Sequence, residues 1–322
     1  MEEKKKTARE IIEGYDGPPV RIMEVCGTHT HEIFRLGIRK LLPEQVELIS
    51  GPGCPVCVTQ VGFIDEAIYL ALERQVTICT FGDLVRVPGT NMSLAGAREK
   101  GAKIRIVYSP VDAKEYAKEH PKEQVTFLSV GFETTTPSAC LSVKKAREEG
   151  LTNYSILTAN KTMPQAYEAL KGSADIFLYP GHVNAITGTK LCEELAKEGV
   201  SGVVAGFTAK ELLTALAVAL ARFQEGRPFF VNCYPRVVTE NGSPQAQKLV
   251  EEMMEPCDSE WRGLGVIKGS GMRLQEEWSA FDARKKYKIP PIQGKANPAC
   301  RCGDVLQGKC KPSDCKVFGK VC

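Results

Sequence analysis

The side chains best suited to chemistry in this chain are cysteines and histidines, and the first group of them is the segment CGTHTH. It contains Cys26, His29 and His31 and follows a run of strand-forming residues. The dipole and free N–H groups of the helix predicted after Cys26 favour its thiolate form. Beside the His29 imidazole, such a thiolate could ligate a soft metal or act as a nucleophile. A capping turn around a buried thiol is the structural alternative.

The second group is GPGCPVC, in which Cys54 and Cys57 form a C-x-x-C pair at a predicted strand-to-helix junction. This is the position of the redox pair in thioredoxin-like proteins, where the first thiol is exposed. The pattern favours a redox pair or a metal-binding pair over a purely structural turn. Zinc is disfavoured because no second C-x-x-C lies nearby.

Three further loops carry polar side chains that could line a site. Glu133 in GFETTTP could act as an acid, a base or a ligand-orienting group, although the threonines after it could serve only as helix caps. Asp83 in FGDLVRVPG and His182 in YPGHVNAITG also follow predicted strands. Ligands of open parallel sheets bind beyond the carboxyl ends of the strands. We therefore expect these loops to converge on a cleft if two sheets face each other.

The C-terminal segment is rich in cysteine and poor in apolar residues. Its spacing, C-R-C-x7-C-x4-C-x6-C, fits neither a zinc ribbon nor the bacterial ferredoxin pattern. It favours an iron–sulfur cluster with one thiol left over, and the alternatives are zinc or no metal at all. The cysteines of this segment are Cys300, Cys302, Cys310, Cys315 and Cys322.

The elements that must position these residues alternate between strands and helices. Continuous apolar strands separated by helical patterns are typical of parallel sheets covered on both faces. We predict an α/β fold with two similar parallel-sheet domains, at residues 1–122 and 123–235, that face a cleft. Residues 236–322 are predicted to form a small helical and Cys-rich C-terminal domain. The predicted strands are residues 20–25, 46–50, 76–81, 103–109, 125–131, 154–160, 174–181 and 200–207.

Composition restricts the partners of the chain. The 42 basic and 39 acidic residues leave a net charge of +3, so no strong field points to nucleic acid or to an anionic membrane. The N-terminus is charged from its second residue, and the apolar run at 212–220 is about half of a membrane span. We expect a cytoplasmic protein. Five cysteines among apolar neighbours are predicted to be inert core thiols: Cys79, Cys140, Cys192, Cys233 and Cys257.

Five motifs in order resemble the HypD family, the maturation proteins of nickel–iron hydrogenases. They are MEVCGTHTHEIF, LISGPGCPVCV, TFGDLVRVPG, LSVGFETTTP and ACRCGDVLQG…PSDCKVFGKVC, and the resemblance covers nearly the whole chain. It implies two similar α/β domains and a C-terminal domain with a 4Fe–4S cluster. It also implies a scaffold that assembles an Fe(CN)2CO unit with the small partner HypC, while HypE, with HypF upstream, supplies cyanide.

The resemblance also implies roles for individual residues. Cys26 would hold the transient iron together with a HypC cysteine, and Cys54 and Cys57 would be a thiol/disulfide pair that exchanges electrons with the cluster. His29, Glu133 and Asp83 would line the cleft. We expect a monomeric assembly scaffold with redox activity rather than an enzyme that turns over a free substrate.

One departure from the family concerns the cluster ligands. Members continue past FGKVC with two more cysteines, whereas this sequence stops at Cys322. Cys300, Cys315 and Cys322 are the expected ligands, with Cys302 or Cys310 as the fourth, and we expect weaker cluster binding than in a longer relative. A stand-alone iron–sulfur thiol/disulfide oxidoreductase is the alternative function, although a pure reductase does not require CGTH. A zinc-stapled α/β binding protein is a third reading.

Overall fold

A computed structural model describes residues 6–320 of the protein. The α/β class predicted from the sequence is confirmed, because the strands form two parallel sheets and one antiparallel hairpin. In this part of the chain, every helix is too short or too polar to cross a bilayer.

The strands follow the predicted positions closely up to residue 205. In chain order they are β1 (Val20–Glu24), β2 (Val46–Ser50), β3 (Thr77–Thr80), β4 (Ile104–Ile106), β5 (Val125–Gly131), β6 (Tyr154–Asn160), β7 (Ile176–Pro180), β8 (Ser201–Ala205), β9 (Phe230–Asn232), β10 (Met254–Trp261) and β11 (Gly265–Leu274).

The helices fall between the strands, as the alternating pattern predicts. They are α1 (Ala8–Glu13), α2 (Gly27–Arg35), α3 (Pro55–Val58), α4 (Val61–Glu73), α5 (Leu94–Glu99), α6 (Pro110–Glu119), α7 (Thr136–Glu148), α8 (Met163–Ala169), α9 (Gly181–Thr187), α10 (Lys190–Lys197), α11 (Ala209–Phe223), α12 (Pro244–Met253), α13 (Ala283–Lys286) and α14 (Cys302–Leu306). Short 3-10 helices occupy Ile38–Leu41, Gly82–Leu84, Glu276–Phe281 and Pro312–Asp314.

The described residues divide into two compact units. The first unit comprises the chain up to Cys54, with Tyr167–Pro244 and Asp304–Cys310. The second unit comprises Pro55–Ala166, Gln245–Gly303 and the chain from Lys311 onward.

The first unit is built on a five-stranded parallel sheet in the order β2-β1-β7-β8-β9. Helix α11 buries Leu212, Leu216 and Leu220 in the same core cluster as Ile22 and Val203 of the sheet. This four-residue spacing puts the three leucines on one face of the helix, and each buried leucine stabilises the fold by about 1.5–3 kcal/mol.

The second unit is built on a four-stranded parallel sheet in the order β4-β3-β5-β6. Every residue of β5 and β6 is buried, which explains why neither strand contains a charged residue or alternates between apolar and exposed polar positions. Their register pairs Gly131 with Asn160, so the segments that follow these two strands start at the same edge of the sheet.

The strand pairing differs from the predicted succession of domains at 1–122, 123–235 and 236–322. Strands β1 and β2 pair with β7, β8 and β9, whereas β3 and β4 pair with β5 and β6. An apolar pattern identifies a buried strand but not its neighbours in the sheet. Parallel strands are joined by a crossover connection, and this connection leaves no signal in the sequence for which strands pair. The C-terminal residues likewise divide between the two units.

Two local features do not follow from the sequence pattern. Helix α4 begins after Gln60 as N-cap, and the hydroxyl of the preceding Thr59 donates to the carbonyl of Pro55 at 2.7 Å. The hairpin of β10 and β11 was not predicted, because its half-exposed strands lack the apolar runs of the parallel sheets.

Candidate metal and thiol sites

Cys26 lies between the end of β1 and the start of α2, where it is the N-cap residue predicted from the sequence. The backbone N–H groups of His29 and Thr28, at the start of the helix, act to lower the pKa of its thiol, although its side chain makes no capping hydrogen bond. Burial outweighs them and raises the pKa of the Cys26 thiol above its ordinary value. The site therefore favours a thiolate only once a positive charge, such as a metal ion, arrives.

The loop that carries Cys54 packs directly against Cys26. The Gly53 carbonyl accepts the Gly27 N–H at 2.9 Å. A Cβ added to Gly53 would lie 2.1 Å from the Cys26 nitrogen and 2.3 Å from its Cα, so only glycine fits there. A Cβ on Gly27 would in turn lie 3.4 Å from Cys54 Cβ. The first unit thus brings Cys26 and Cys54 together, as the sequence predicts for loops at the carboxyl ends of β1 and β2.

His29 is fully buried in α2 and is held by the end of β8. Its Nε2 lies 3.2 Å from the Ala205 carbonyl oxygen and 3.0 Å from that of Gly206. Both partners are acceptors, so Nε2 carries the proton and Nδ1 presents a bare lone pair. Nδ1 is buried and has no hydrogen-bond partner among residues 6–320. Burial also lowers the pKa of His29 to about 4, so the imidazole is neutral at pH 7.

The other two histidines proposed near these loops differ from His29. His31 is exposed on α2. His182 is exposed at the start of α9, where it stacks on Phe207 with 4.0 Å between ring centroids. Phe207 also contacts His29 at 4.7 Å, so the three rings form one aromatic cluster in the first unit.

Cys54 and Cys57 flank the start of α3. The predicted strand-to-helix junction is confirmed, because β2 ends at Ser50 and α3 begins at Pro55. Cys57 is exposed, and Cys54 is half-buried. None of the twelve cysteines in residues 6–320 takes part in a disulfide bond.

Glu133 follows β5 and is a buried carboxyl with an incomplete set of partners. Its Oε1 accepts the Met163 N–H at 2.8 Å, while Oε2 is buried without a hydrogen-bond partner in the described part of the chain. Burial raises the pKa of Glu133 to about 7, which suits a group that takes up or releases a proton near neutral pH. Thr135 is the N-cap of α7, but its side chain makes no capping hydrogen bond.

Asp83 is exposed in the short 3-10 helix after β3, and the structure does not test its predicted role. A nearby aspartate that the sequence did not single out, Asp65, is more firmly placed. Its carboxylate accepts the Thr90 N–H at 2.8 Å and the Thr90 hydroxyl at 2.5 Å.

Three C-terminal cysteines, Cys300, Cys302 and Cys315, belong to the second unit. The sulfurs of Cys300 and Cys302 are 3.2 Å apart, and the N–H of Arg301 donates to Cys315 at 3.4 Å. Backbone N–H groups of Arg301, Val317 and Phe318 lower the pKa of the Cys315 thiol. Of the two competing ligands, Cys302 contacts Cys300, whereas Cys310 belongs to the first unit. Cys322 lies outside the described residues.

The donor chemistry of Cys300, Cys302 and Cys315 fits an iron–sulfur cluster. Thiolates are the ordinary ligands of such clusters, and N–H donors at Cys315 favour the thiolate. Two thiolates 3.2 Å apart would repel each other, so a bound cation would both offset their charge and separate them. Within residues 6–320, no three His, Cys, Asp or Glu side chains are already arranged as a metal site.

The scattered cysteines are only partly the core thiols that were predicted. Cys79, Cys140 and Cys192 are fully buried, and burial raises the pKa of each to about 12. Cys233 and Cys257 are half-buried. Cys233 directly follows the short strand β9 and Cys257 lies in the hairpin strand β10, and both strands are only partly covered.

Sequence reasoning missed the segment Trp261–Arg262–Gly263 at the tip of the hairpin. Trp261 is buried, stacks on Phe132 at 5.8 Å and donates its indole N–H to Ser270 at 2.7 Å. Arg262 borders a cavity of about 650 Å³ whose wall includes Cys300 and Cys302. The only signal for this segment in the sequence is that one of the two tryptophans of the chain precedes an arginine and a glycine.

The second missed residue is Lys161, directly after β6. Its buried amine donates to the Ser259 hydroxyl at 2.6 Å and to the Glu260 carbonyl at 2.7 Å. Burial lowers the pKa of Lys161 to about 8. Lys161 therefore ties the end of the parallel sheet to the hairpin.

Parallel sheets covered by helices, with thiol-bearing loops after their strands, define an α/β protein that ends in a Cys-rich segment. A family model named HypD, described as the hydrogenase formation hypA family, matches residues 2–322. The chain belongs to the HypD family of hydrogenase maturation factors.

Several relatives are similar along most of their length. The hydrogenase maturation factor HypD of Cupriavidus necator is 40% identical over 96% of this chain and 85% of its own. The hydrogenase maturation factor HypD of Escherichia coli is 42% identical over 94% of this chain and 83% of its own. The hydrogenase expression/formation protein HupD of Azotobacter chroococcum is 39% identical over 98% of this chain and 86% of its own.

Proposed function

We propose that the protein is a cytoplasmic scaffold on which an Fe(CN)2CO unit is assembled for a hydrogenase. The observation that carries the proposal is the packing of CGTH against SGPGC, which holds Cys26 at the start of α2 beside Cys54. The iron unit is the cargo of the scaffold, and Cys26 is its ligand.

The site chemistry supports a soft cationic cargo. Burial makes the Cys26 thiolate costly on its own, and a bound Fe(II) would supply the missing positive charge. The neutral His29 adds a lone pair without adding charge to the same helix. In the second unit, Glu133 is a carboxyl that can hold or release a proton near pH 7. Asp83 is exposed in the second unit, and we assign no chemical step to it.

Electrons for the assembly would pass through thiols. We infer that Cys54 and Cys57 form a dithiol/disulfide pair, since Cys57 is exposed to a partner thiol or reductant. When bound, a 4Fe–4S cluster would supply single electrons. Its ligands would be Cys300, Cys315 and Cys322 with Cys302 as the fourth, because Cys302 contacts Cys300.

The proposed partners follow from the family. A HypC-type chaperone would contribute a second thiolate to the iron, and a HypE-type protein, with HypF upstream, would deliver cyanide. We infer that the protein works as a monomer that binds these partners in turn.

The test is anaerobic co-purification with a HypC-type partner, using wild type, Cys26→Ala and the control Cys233→Ala, which removes another half-buried thiol of the first unit. We expect cyanide and CO infrared bands in the wild type and the control. They should disappear in Cys26→Ala while the visible absorption of the cluster remains. Equal infrared bands in Cys26→Ala would refute the role of Cys26.

A stand-alone iron–sulfur thiol/disulfide oxidoreductase is the second candidate, favoured by the exposed Cys57 on the short helix α3. It predicts reduction of a disulfide substrate without any partner, and no dependence on Cys26. A Cys57→Ser variant abolishes activity under both hypotheses, so Cys26→Ala is the variant that separates them.

A further inference from the structure

The second unit contains a cavity of about 650 Å³ with an unbalanced charge. Three cationic side chains line it, Arg86, Arg262 and Lys295, and no Asp or Glu is among its lining residues. Cys300 and Cys302 form part of the same wall. A wall of three cations and two thiols is suited to a negatively charged occupant.

Arg262 is the most informative of the three cations. Its Nε and Nη2 are buried and have no hydrogen-bond partner in the described part of the chain. Glu66 and Glu260 border an adjacent cavity that Arg262 also lines. The Glu66 carboxylate, however, is bonded to Arg284 at 2.7 Å, and no carboxylate within residues 6–320 pairs with Arg262. A buried guanidinium is costly without an anion, so this arrangement points to an anion that binds at Arg262.

The backbone fixes Arg262 between two thiol-bearing segments. Its N–H donates to the carbonyl of Val58 at 2.8 Å, one residue after Cys57. The next residue, Gly263, has φ 81° and packs against Gly303, where an added Cβ would lie 2.5 Å from the Gly303 nitrogen. One hairpin tip therefore contacts both the helix of Cys57 and the residue that follows Cys302.

We propose that Arg262, together with Arg86 and Lys295, provides the counter-charge for the metal centre held by Cys300 and Cys302, and so sets its reduction potential. The inference rests on the proposed function, which places a cluster there. A guanidinium has no lone pair to offer a metal, so Arg262 acts by charge and by N–H donation to sulfur. Four thiolates make a cluster anionic, and each added electron makes it more so. Nearby cations therefore favour the reduced form and raise the potential.

The experiment measures the one-electron midpoint potential of the reconstituted full-length protein, by a mediated titration followed by electron paramagnetic resonance. The variants are Arg262→Gln and Arg262→Lys. The control is Lys268→Gln, which removes an exposed cation from β11 that does not line the cavity. For Arg262→Gln we expect the equilibrium constant for reduction to fall about tenfold. This corresponds to a one-electron midpoint potential that is about 59 mV more negative. Arg262→Lys should keep most of the wild-type potential, and Lys268→Gln all of it.

The outcomes separate this inference from the proposed function. A cluster with the same potential in Arg262→Gln as in wild type overturns the inference and leaves the cluster in place. A wild type that retains no iron or sulfide after reconstitution overturns both. If Arg262→Gln does not fold, Lys295→Gln is measured in its place, and an unchanged potential there is equally decisive against the inference.

A second experiment, with inorganic phosphate, tests whether the cavity binds a small oxyanion instead. Inorganic phosphate is added to the cluster-bearing protein at constant ionic strength. Binding that requires Arg262 and leaves the cluster intact would make the cavity an oxyanion site and overturn the inference. We expect no phosphate binding that depends on Arg262, because the anionic cluster already neutralises the charge of Arg262.

Discussion

Burial decides the protonation state of the two titratable residues that stand out in this molecule. His29 is held neutral because its cation would be desolvated, and Glu133 is held protonated up to about pH 7 for the same reason. Both residues also keep one buried polar atom without a partner in the described chain, Nδ1 of His29 and Oε2 of Glu133. Such atoms are costly in a folded protein, and they are found where a substrate or partner completes the hydrogen bonds.

The raised pKa of Glu133 predicts a pH dependence of stability. Below pH 4.5 the carboxyl is protonated in both folded and unfolded chains. As pH rises from 4.5 to about 7, the unfolded chain loses the proton first, so stability falls. We therefore expect the free energy of unfolding, measured in urea, to fall between pH 4.5 and 8 by up to about 3 kcal/mol more in the wild type than in Glu133→Gln.

The comparison across pH cancels any constant cost of the buried amide in Glu133→Gln. Glu73→Gln, at the exposed end of α4, is the matched control and should keep the pH dependence of the wild type. Parallel pH profiles for wild type and Glu133→Gln would show that the carboxyl is hydrated in the fold.

At the scale of elements, the contact between two loops of the first unit matters more than any single helix. Gly53 lies so close to the backbone of Cys26 that even a methyl group would overlap it. The position of Cys26 thus depends on a loop that is distant in sequence and itself carries Cys54.

We expect Gly53→Ala to displace Cys26 without removing a thiol. The overlap should lower the free energy of unfolding by about 1–3 kcal/mol and weaken iron retention with the HypC-type partner. Gly82→Ala is the control, because its added Cβ would meet only the Ile106 side chain at 3.6 Å, and it should change stability by less than about 0.5 kcal/mol. Full iron retention in Gly53→Ala would mean that the loop of Gly53 can shift without displacing Cys26.

The elements also show what could be read from the sequence. Strands β5 and β6 match their predicted bounds, residues 125–131 and 154–160, because a strand buried on both faces carries mostly apolar and small residues and no charged ones. The positions of Cys26 and Glu133 just beyond strand ends were predictable for the same reason. The hairpin was not, because one face of it is exposed and its pattern is mixed.

Other features depend on the folded chain. The pairing of β1 with β7 could not be predicted, since parallel neighbours leave no local signal. The role of Arg262 could not be inferred either, because an unpaired guanidinium is recognised only when all its neighbours are known. The tautomer of His29 likewise follows from two carbonyls that lie far along the chain.

At the scale of the whole molecule, the chain passes repeatedly between the two units, and this predicts the behaviour of fragments. Residues 55–166 contain all four strands of the second sheet and every buried member of one core cluster except Ala283. Residues 1–122 contain β1 and β2 without the three strands that complete their sheet.

We expect the fragment 55–166 to show strand and helix signals in circular dichroism and a cooperative, low-temperature thermal transition. Its stability should be reduced because the second core cluster of this unit loses Trp278 and Phe281. The fragment 1–122 should show no cooperative transition. A cooperative transition in 1–122 would support the domain boundaries that the sequence predicts.

The separation of β2 from β7 along the chain has a consequence during synthesis. Ser50 ends β2 and Ile176 begins β7, so 126 residues (176 − 50) must be made after β2 before β7 can begin to pair with β1. At roughly 5–20 residues per second, the ribosome needs about 6–25 s for this stretch. During that time the nascent chain carries Cys26 on an unfinished sheet. The thiol that the finished fold half-buries is therefore open to oxidants, and to chaperones, while the rest of the polypeptide is still being translated.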